Sequence, residues 1–212
     1  MKTIKIALTS MFLIVSSYAS AVEISANASL SSDYIWRGMT QTQGDLAVSG
    51  GFDLSTDMGF YIGTWASNAG GNGTDYSMEL DVYLGFSGEM AENMTYDVGY
   101  ISVTYPGDNS ADFEEAYIAF NIYGLNILYS DGQDNGPAYS EVAYGVDAGP
   151  GTFNISYGEY EQYGSNTLVG YDWGIGDFSV GFYYYDFEAK TTGKNTGQTD
   201  DDGAYVSLSR SF

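Results

Sequence analysis

The sequence predicts an all-β fold: a closed, antiparallel, up-and-down transmembrane β-barrel that follows a cleaved signal peptide. Three observations predict it. A short apolar leader opens the chain, apolar and polar residues alternate along the remainder, and the last alternating segment ends in Phe212. We expect about 12 strands, with about 10 or 14 as the alternatives.

The leader has the three parts of a secretory signal peptide. Met1–Lys5 carries positive charge, Ile6–Val15 is apolar, and Ala19–Ala21 has the small-x-small pattern of a cleavage site. A membrane anchor is the weaker interpretation, because the leader has about ten consecutive apolar residues and a bilayer takes about 20. The sequence therefore predicts a signal peptide at 1–21 and one barrel domain at 22–212.

The composition suits strands and turns. The 212 residues include 28 Gly, 21 Tyr and 11 Phe but no Cys and no His, so the fold is β-rich and uses no disulfides. The formal net charge is −22, and cleavage of the leader removes Lys2 and Lys5. A chain this acidic is not expected to bind nucleic acid.

Period-two alternation is the main secondary-structure signal, because successive side chains of a strand point to opposite faces. It is clearest at 77–87, where every second residue is apolar, and it recurs at 24–30, 140–147, 178–185 and 204–211. The alternating runs predict strands near 23–37, 46–54, 59–68, 75–87, 94–105, 112–123, 125–131, 138–148, 152–160, 166–175, 177–189 and 203–212.

The predicted connections alternate in length. The shorter set is 55–58, 88–93, the break at 124, 149–151 and 174–177, and the longer set is 38–45, 69–74, 106–111, 132–137, 161–165 and 190–202. An outer-membrane barrel has this parity, because short periplasmic turns face longer external loops. A soluble β-sandwich has no reason to keep it, although about 190 residues are enough for a sandwich with its own core.

Aromatic residues near the predicted strand ends also favour the barrel. Tyr and Trp form girdles at both membrane interfaces of such proteins, whereas ordinary cross-strand pairing is the other interpretation. The pairs are Tyr34 and Trp36, Tyr61 and Trp65, Tyr100 and Tyr105, Tyr157 and Tyr160, and Tyr171 and Trp173.

The last strand resembles the C-terminal signal by which outer-membrane assembly machinery recognises its barrel substrates. Val206 and Leu208 alternate with polar residues, and Phe212 is the final residue. Arg210 interrupts the apolar row near the end, where its side chain can extend to the periplasmic interface.

Three segments carry a family resemblance. Ser32–Thr42, Gly50–Phe52 and Gly59–Trp65 resemble the TorF porin family, and the similarity spans the mature chain. The resemblance implies a proteobacterial outer-membrane barrel of a family that is named porin by inference and has no established substrate.

Catalysis has little support in the residue types. Without His or Cys the chain lacks the usual general base, thiol nucleophiles and soft metal ligands. Glu79 and Asp81 share one strand face, with Cα atoms about 6.6 Å apart, and such a pair can do glycosidic acid–base work. Any two water-facing positions give the same spacing, and Lys190 and Lys194 lie among threonines in one polar loop. We expect no enzyme, no metal and no cofactor.

The polar strand faces predict an acidic lumen. Candidate pore-lining residues are Asp33, Arg37, Asp53, Glu79, Asp81, Glu115, Glu141 and Asp172. Rings of carboxylates favour cations, so the sequence predicts a channel for passive diffusion of small solutes that prefers cations. Arg37 is expected to pair with Asp33 or another lumen acid. The alternative is a closed structural or surface-interaction barrel with acidic external loops.

The expected location is the outer membrane of a Gram-negative cell. The expected partners are outer-membrane lipid and lipopolysaccharide, the assembly machinery and small solutes. Divalent cations could bridge the acidic external loops to lipopolysaccharide, although solvated loop surface explains the same acids. The sequence does not define an oligomeric state.

Overall fold

The computed structural model describes residues 22–71, 73–133, 136–190 and 199–212. The predicted signal peptide at 1–21 lies outside the described residues, so its cleavage stays a prediction. Within the described ranges, no helix is long and apolar enough to span a bilayer.

The described residues form strands throughout the chain. They are β1 (Glu23–Ser31), β2 (Ile35–Trp36), β3 (Met39–Thr40), β4 (Ala47–Ser55), β5 (Phe60–Asn68), β6 (Met78–Ala91), β7 (Met94–Thr104), β8 (Phe113–Ile122), β9 (Leu125–Gly132), β10 (Tyr139–Ala148), β11 (Gly151–Tyr160), β12 (Gly164–Ile175), β13 (Phe178–Ala189) and β14 (Asp201–Ser211).

Twelve of these strands close into one antiparallel barrel, which confirms the predicted fold class. β4 to β14 pair in chain order, and β1 completes the ring between β4 and β14. Phe212 takes part in the closure, since its backbone N–H donates to the Ala26 carbonyl at 2.8 Å and its carbonyl accepts from the Ala26 N–H at 3.2 Å. Closure leaves no strand edge unpaired, as a barrel in lipid requires.

The apolar face of the barrel points outward. In β6, Val82 and Phe86 are 47% and 50% exposed, whereas Asp81 between the apolar positions is 1% exposed. A soluble sandwich has the opposite arrangement, because its apolar faces pack against each other. The outer surface is therefore built to meet lipid, and the polar faces enclose the lumen.

Three of the five turns at one end of the barrel are shorter than the predicted 88–93, 149–151 and 174–177. β6 continues to Ala91 through an irregularity in its register with β7 between Glu89 and Ala91, so the predicted connection 88–93 shrinks to 92–93. The other turns at this end are 56–59, 123–124, 149–150 and 176–177. The opposite end carries 32–46, 69–77, 105–112, 133–138, 161–163 and 190–200. Of this set, 161–163 is as short as a turn, so the parity holds with one exception.

The first predicted strand, 23–37, is wrong beyond Ser31. The chain leaves the barrel wall there and enters the lumen as a segment that we call loop 1 (residues 32–46). Within it β2 and β3 form a hairpin whose turn residues, Arg37 and Gly38, have φ of 50° and 80°. Positive φ at both positions is the geometry of a type I′ turn, which suits a two-residue hairpin.

Candidate functional site in the barrel lumen

Tyrosine rings lie flat against part of the lumen wall, over glycines of neighbouring strands. Asp53, Gly63 and Tyr83 are directly opposite one another across β4, β5 and β6. A Cβ on Gly63 would lie 2.4 Å from the Tyr83 ring, so only glycine leaves room for it. The ring crosses β5 and its hydroxyl donates to the Asp53 carboxylate.

A second row uses two glycines between two tyrosines. Tyr61, Gly85, Gly99 and Tyr117 are opposite one another across β5 to β8. Each ring covers the adjacent glycine, and the two hydroxyl oxygens are 2.5 Å apart. The Tyr61 hydroxyl also bonds to the Asp97 carboxylate at 2.5 Å. Together the two rows link five neighbouring strands, β4 to β8.

A similar cluster lies on the wall formed by β11 to β13. The Tyr183 ring covers Gly170 and its hydroxyl donates to Asp172. The Asn154 amide donates to the other oxygen of the same carboxylate at 2.7 Å. Asp53, Asp97 and Asp172 all lie near the strand ends that carry the short turns, so they form a tier of tyrosine-bound carboxylates in that half of the barrel.

Loop 1 crosses the opposite half of the lumen from wall to wall. It leaves from β1 and returns to β4, and its tip reaches β8 to β13 on the far side. The Arg37 guanidinium donates two hydrogen bonds of 2.6 Å to Glu115 of β8. It also lies over the rings of Tyr139 and Tyr160, at 4.1 and 4.7 Å from their centroids.

The tip of loop 1 fits closely against the far wall. A Cβ on Gly38 would lie 2.5 Å from the Asn166 Cβ and 3.2 Å from the Phe187 Cβ. The Ser130 hydroxyl donates to Glu115 at 2.6 Å, so the carboxylate that holds Arg37 is itself held by β9. The fit and the charge pair together fix the hairpin across the lumen.

The base of loop 1 has its own anchors. The Tyr34 hydroxyl donates to Glu79 of β6 at 2.6 Å, and the Tyr34 ring meets Trp65 of β5 edge to face at 5.3 Å. Burial, reinforced by the nearby Glu79 and Asp81 carboxylates, raises the pKa of Tyr34 well above its usual value. The phenol therefore stays protonated and remains a donor at neutral pH.

Asp33 is bound within loop 1 rather than to Arg37. Its carboxylate accepts hydrogen bonds of 2.7 Å from the hydroxyls of Thr40 and Thr42. Of the two predicted alternatives for Arg37, the structure therefore has the pairing with another lumen acid, Glu115.

All eight predicted pore-lining residues face the inside of the barrel. Asp33, Arg37, Glu79, Asp81, Glu115 and Asp172 are buried, and Asp53 and Glu141 are half-buried. Glu141 accepts a hydrogen bond of 2.9 Å from the Tyr139 hydroxyl. The loop 1 tip brings Arg37 and Glu115 together, Asp33 lies within loop 1, and the other acids are distributed over the wall. Their role in a pore stays a prediction.

Sequence reasoning missed Asp97, which is 5% exposed. Val98 is outward at 45% exposure, so the strand period alone places Asp97 and Gly99 inside. Apolar Ile101 and Val103 also point inward and obscure the pattern. The girdle interpretation is wrong for six of the residues, which meet lumen groups: Tyr34, Trp36, Tyr61, Trp65, Tyr105 and Tyr160.

Other residues of the predicted aromatic girdles, and the residues of the predicted C-terminal signal, do point outward. Tyr157 and Trp173 are 56% and 43% exposed, and the proposed assembly-signal residues Val206, Leu208 and Phe212 are exposed as well. That orientation is compatible with contact to lipid or to assembly machinery, and the recognition itself stays a prediction.

The lumen is electrostatically one-sided. Among the described residues its basic side chain is Arg37, which Glu115 neutralises. Lys190 pairs with Glu159 and Arg210 with Asp177 at exposed positions. In the ranges that the structure covers, no three acidic residues are grouped as a metal cage. Among the described residues, acidic side chains therefore outnumber basic ones in the lumen.

Residues 16–212 match the model of a bacterial family, Gcw_chp, described as being of unknown function. The chain belongs to this family. The resemblance to TorF porins is a separate inference, which this match leaves as a prediction. No curated protein matches the chain.

Among solved structures, the barrel is similar to the KdgM porin. The superposition has a TM-score of 0.62 at 8% identity and covers 89% of this chain and 98% of the porin. The KdgM porin in complex with disordered oligogalacturonate gives 0.61 at 7% identity, with 89% and 97% covered. An outer-membrane protease, OmpT from Escherichia coli, superposes with a TM-score of only 0.37 at 11% identity. The fold is thus similar to that of the KdgM porin.

Proposed function

We propose that the protein is an outer-membrane channel of narrow bore through which small cationic and neutral solutes diffuse passively. The observation that carries the proposal is the charge of the lumen. Asp53, Asp81, Asp97 and Asp172 face inward, whereas Arg37, the lumen's basic residue in the described ranges, is held by Glu115. A negative lumen in a low-dielectric wall concentrates cations and repels anions.

The acidic lumen argues against the ligand of the structural neighbour as a solute of this channel. The KdgM porin has been solved with oligogalacturonate, which is a polyanion. An acid-lined lumen opposes the entry of a polyanion, so we do not transfer that ligand to this chain. No catalytic step belongs to the proposal, because the chain has no His and no Cys.

The expected partners follow from the location. Outer-membrane lipid and lipopolysaccharide would surround the apolar wall, and the assembly machinery would recognise the last strand with Val206, Leu208 and Phe212. Support for this placement comes from the outward apolar face and from the porin-like fold.

Liposome swelling tests the solute class. Liposomes that contain the refolded protein are diluted into isosmotic solutions of three solutes of similar size: a monovalent organic cation, a neutral sugar and a monovalent organic anion. The proposal expects swelling in the order cation, neutral, anion. Fastest entry of the anion would refute the assignment of the lumen acids.

The second candidate function is a closed structural or surface-interaction barrel. The observation that favours it is loop 1, which crosses the lumen and is anchored at its tip by Arg37 and at its base by Tyr34. A channel must leave a path beside this hairpin.

Conductance in a planar bilayer separates the two candidates. A channel gives discrete current steps, and replacement of residues 35–40 by a short Gly/Ser linker makes the steps larger. A wild-type protein without steps, together with a loop-replaced variant that conducts, would establish the closed barrel instead.

A further inference from the structure

Asp81 has an unusual environment for a carboxylate. Its side chain points into the barrel from β6 and is 1% exposed, and its Oδ1 atom has no hydrogen-bond partner. Burial of an ionised carboxylate is costly unless it is paired or binds a cation. Neutralisation of this carboxyl group by a proton or by a bound cation is therefore expected.

A second acidic side chain, Glu79, lies close to Asp81. Glu79 lies two residues away on the same strand face, is 3% exposed, and interacts electrostatically with Asp81. Glu79 accepts a hydrogen bond of 2.6 Å from the Tyr34 hydroxyl. Burial of two neighbouring carboxyl groups is costly unless protons or a cation neutralise them.

No cation of the described chain serves this pair. Arg37 pairs with Glu115 on the far wall, and Lys190 and Arg210 pair with acids at exposed positions. The wall around Asp81 is neutral, since the residues directly opposite it are Trp65 on β5 and Val103 on β7.

We propose that Glu79 and Asp81 together bind a divalent metal cation of the Ca²⁺ class. Two carboxylates match its charge, and hard oxygen ligands are the type that Ca²⁺ takes. The hydroxyl of Ser67, which lies opposite Glu79 and is 3% exposed, and the phenol oxygen of Tyr34 add neutral oxygens to the set. The complete burial of Asp81 disfavours a bulky organic cation.

The site also has a structural consequence. Because Tyr34 belongs to loop 1 and bonds to Glu79, a cation on Glu79 and Asp81 reinforces the anchor of loop 1 on β6. With only two carboxylates the affinity is expected to be weak, with a Kd of about 10⁻⁴–10⁻³ M for Ca²⁺.

Terbium luminescence tests the proposal on the refolded protein in detergent micelles. Tb³⁺ replaces Ca²⁺ at oxygen sites and emits when a nearby aromatic ring is excited, and Trp65 is directly opposite Asp81. We expect a saturable signal that Ca²⁺ displaces. Asp81→Asn is expected to weaken Tb³⁺ binding at least about tenfold, which corresponds to about 1.4 kcal/mol. Trp65→Phe is expected to lower the emission without changing the affinity.

Asp147→Asn is the matched control, because Asp147 is an exposed carboxylate at the end of β10 and its loss should leave the titration unchanged. The change of gel mobility on heating checks that each variant folds. If Asp81→Asn does not fold, Glu79→Gln is titrated with Tb³⁺ in its place. The site would be overturned if the folded variant, Asp81→Asn or Glu79→Gln, still bound Tb³⁺ with wild-type affinity. A wild-type protein without a saturable signal would overturn it as well. Tb³⁺ binding is measured by luminescence and not by ion conductance. A failure of the proposed cation site is therefore distinguishable from a failure of the proposed channel.

Discussion

Arg37 shows how much one residue decides in this molecule. Its side chain is 5% exposed, makes a bidentate ion pair with Glu115, and lies over two tyrosine rings. The pair is buried between loop 1 and the far wall, so removal of either partner leaves the other without compensation.

Arg37→Ala is therefore expected to lower the free energy of unfolding by about 3 kcal/mol. The measurement is urea unfolding of the refolded barrel. Arg210→Ala is the control, because Arg210 pairs with Asp177 at positions 37% and 75% exposed, where an ion pair contributes about 1 kcal/mol or less. Equal losses in the two variants would show that the loop 1 pair is not a buried anchor.

The glycines under the tyrosines provide a second test at this scale. Gly63→Ala places a Cβ 2.4 Å from the Tyr83 ring, whereas Gly174→Ala meets nothing within 4 Å. The first substitution must displace the ring from Asp53, with an expected loss of about 1–3 kcal/mol for overpacking. The second should be nearly neutral. Unfolding midpoints in urea give the comparison, and a neutral Gly63→Ala would mean that the ring does not depend on the glycine.

At the scale of the element, loop 1 marks where sequence reasoning ends. Alternation of apolar and polar residues predicts several barrel strands closely, as in β10 and β13, because the period reports the face that each residue occupies. The same period continues through Tyr34 and Trp36, and so the predicted first strand is too long. The contacts that turn loop 1 inward, to Glu79 and Glu115, come from strands far along the chain, and no local pattern reports them.

The candidate site divides in the same way. The strand period places Asp53, Glu79 and Asp81 on the inner face, and the structure agrees. The sequence alone does not decide which acid pairs with Arg37, because the pairing depends on where the loop 1 tip contacts the barrel wall. The tyrosine and glycine rows were not found either, since they form only when strand registers are known.

The Tyr34 anchor predicts a pH dependence for loop 1. Burial raises the pKa of Tyr34 in the folded protein above the unfolded value of about 10. The protonated phenol therefore contributes its full stability below about pH 10, and the contribution declines as the pH rises through the higher folded pKa. The hydrogen bond to a carboxylate contributes about 1.5–3 kcal/mol.

Tyr34→Phe is therefore expected to destabilise the protein by a constant amount from neutral pH to about pH 10 and by a decreasing amount above it. Unfolding midpoints of the two proteins across neutral and alkaline pH measure the difference. A difference that vanishes at neutral pH would contradict the Tyr34 to Glu79 bond as an anchor.

At the scale of the whole molecule, the barrel separates two surfaces of opposite character. The outer face is apolar and the lumen is acidic, and the formal net charge of the chain is −22. Tyrosines keep many lumen carboxylates in place along the wall, and loop 1 narrows one half of the passage. The proposed cation preference depends on this sum of charges, so we expect removal of one acid to reduce it only in part.

The zero-current potential of the refolded protein in a planar bilayer with a KCl gradient tests the central claim most directly. The acidic lumen predicts current steps whose reversal potential has the sign set by K⁺. A reversal potential with the sign set by Cl⁻ would contradict the account.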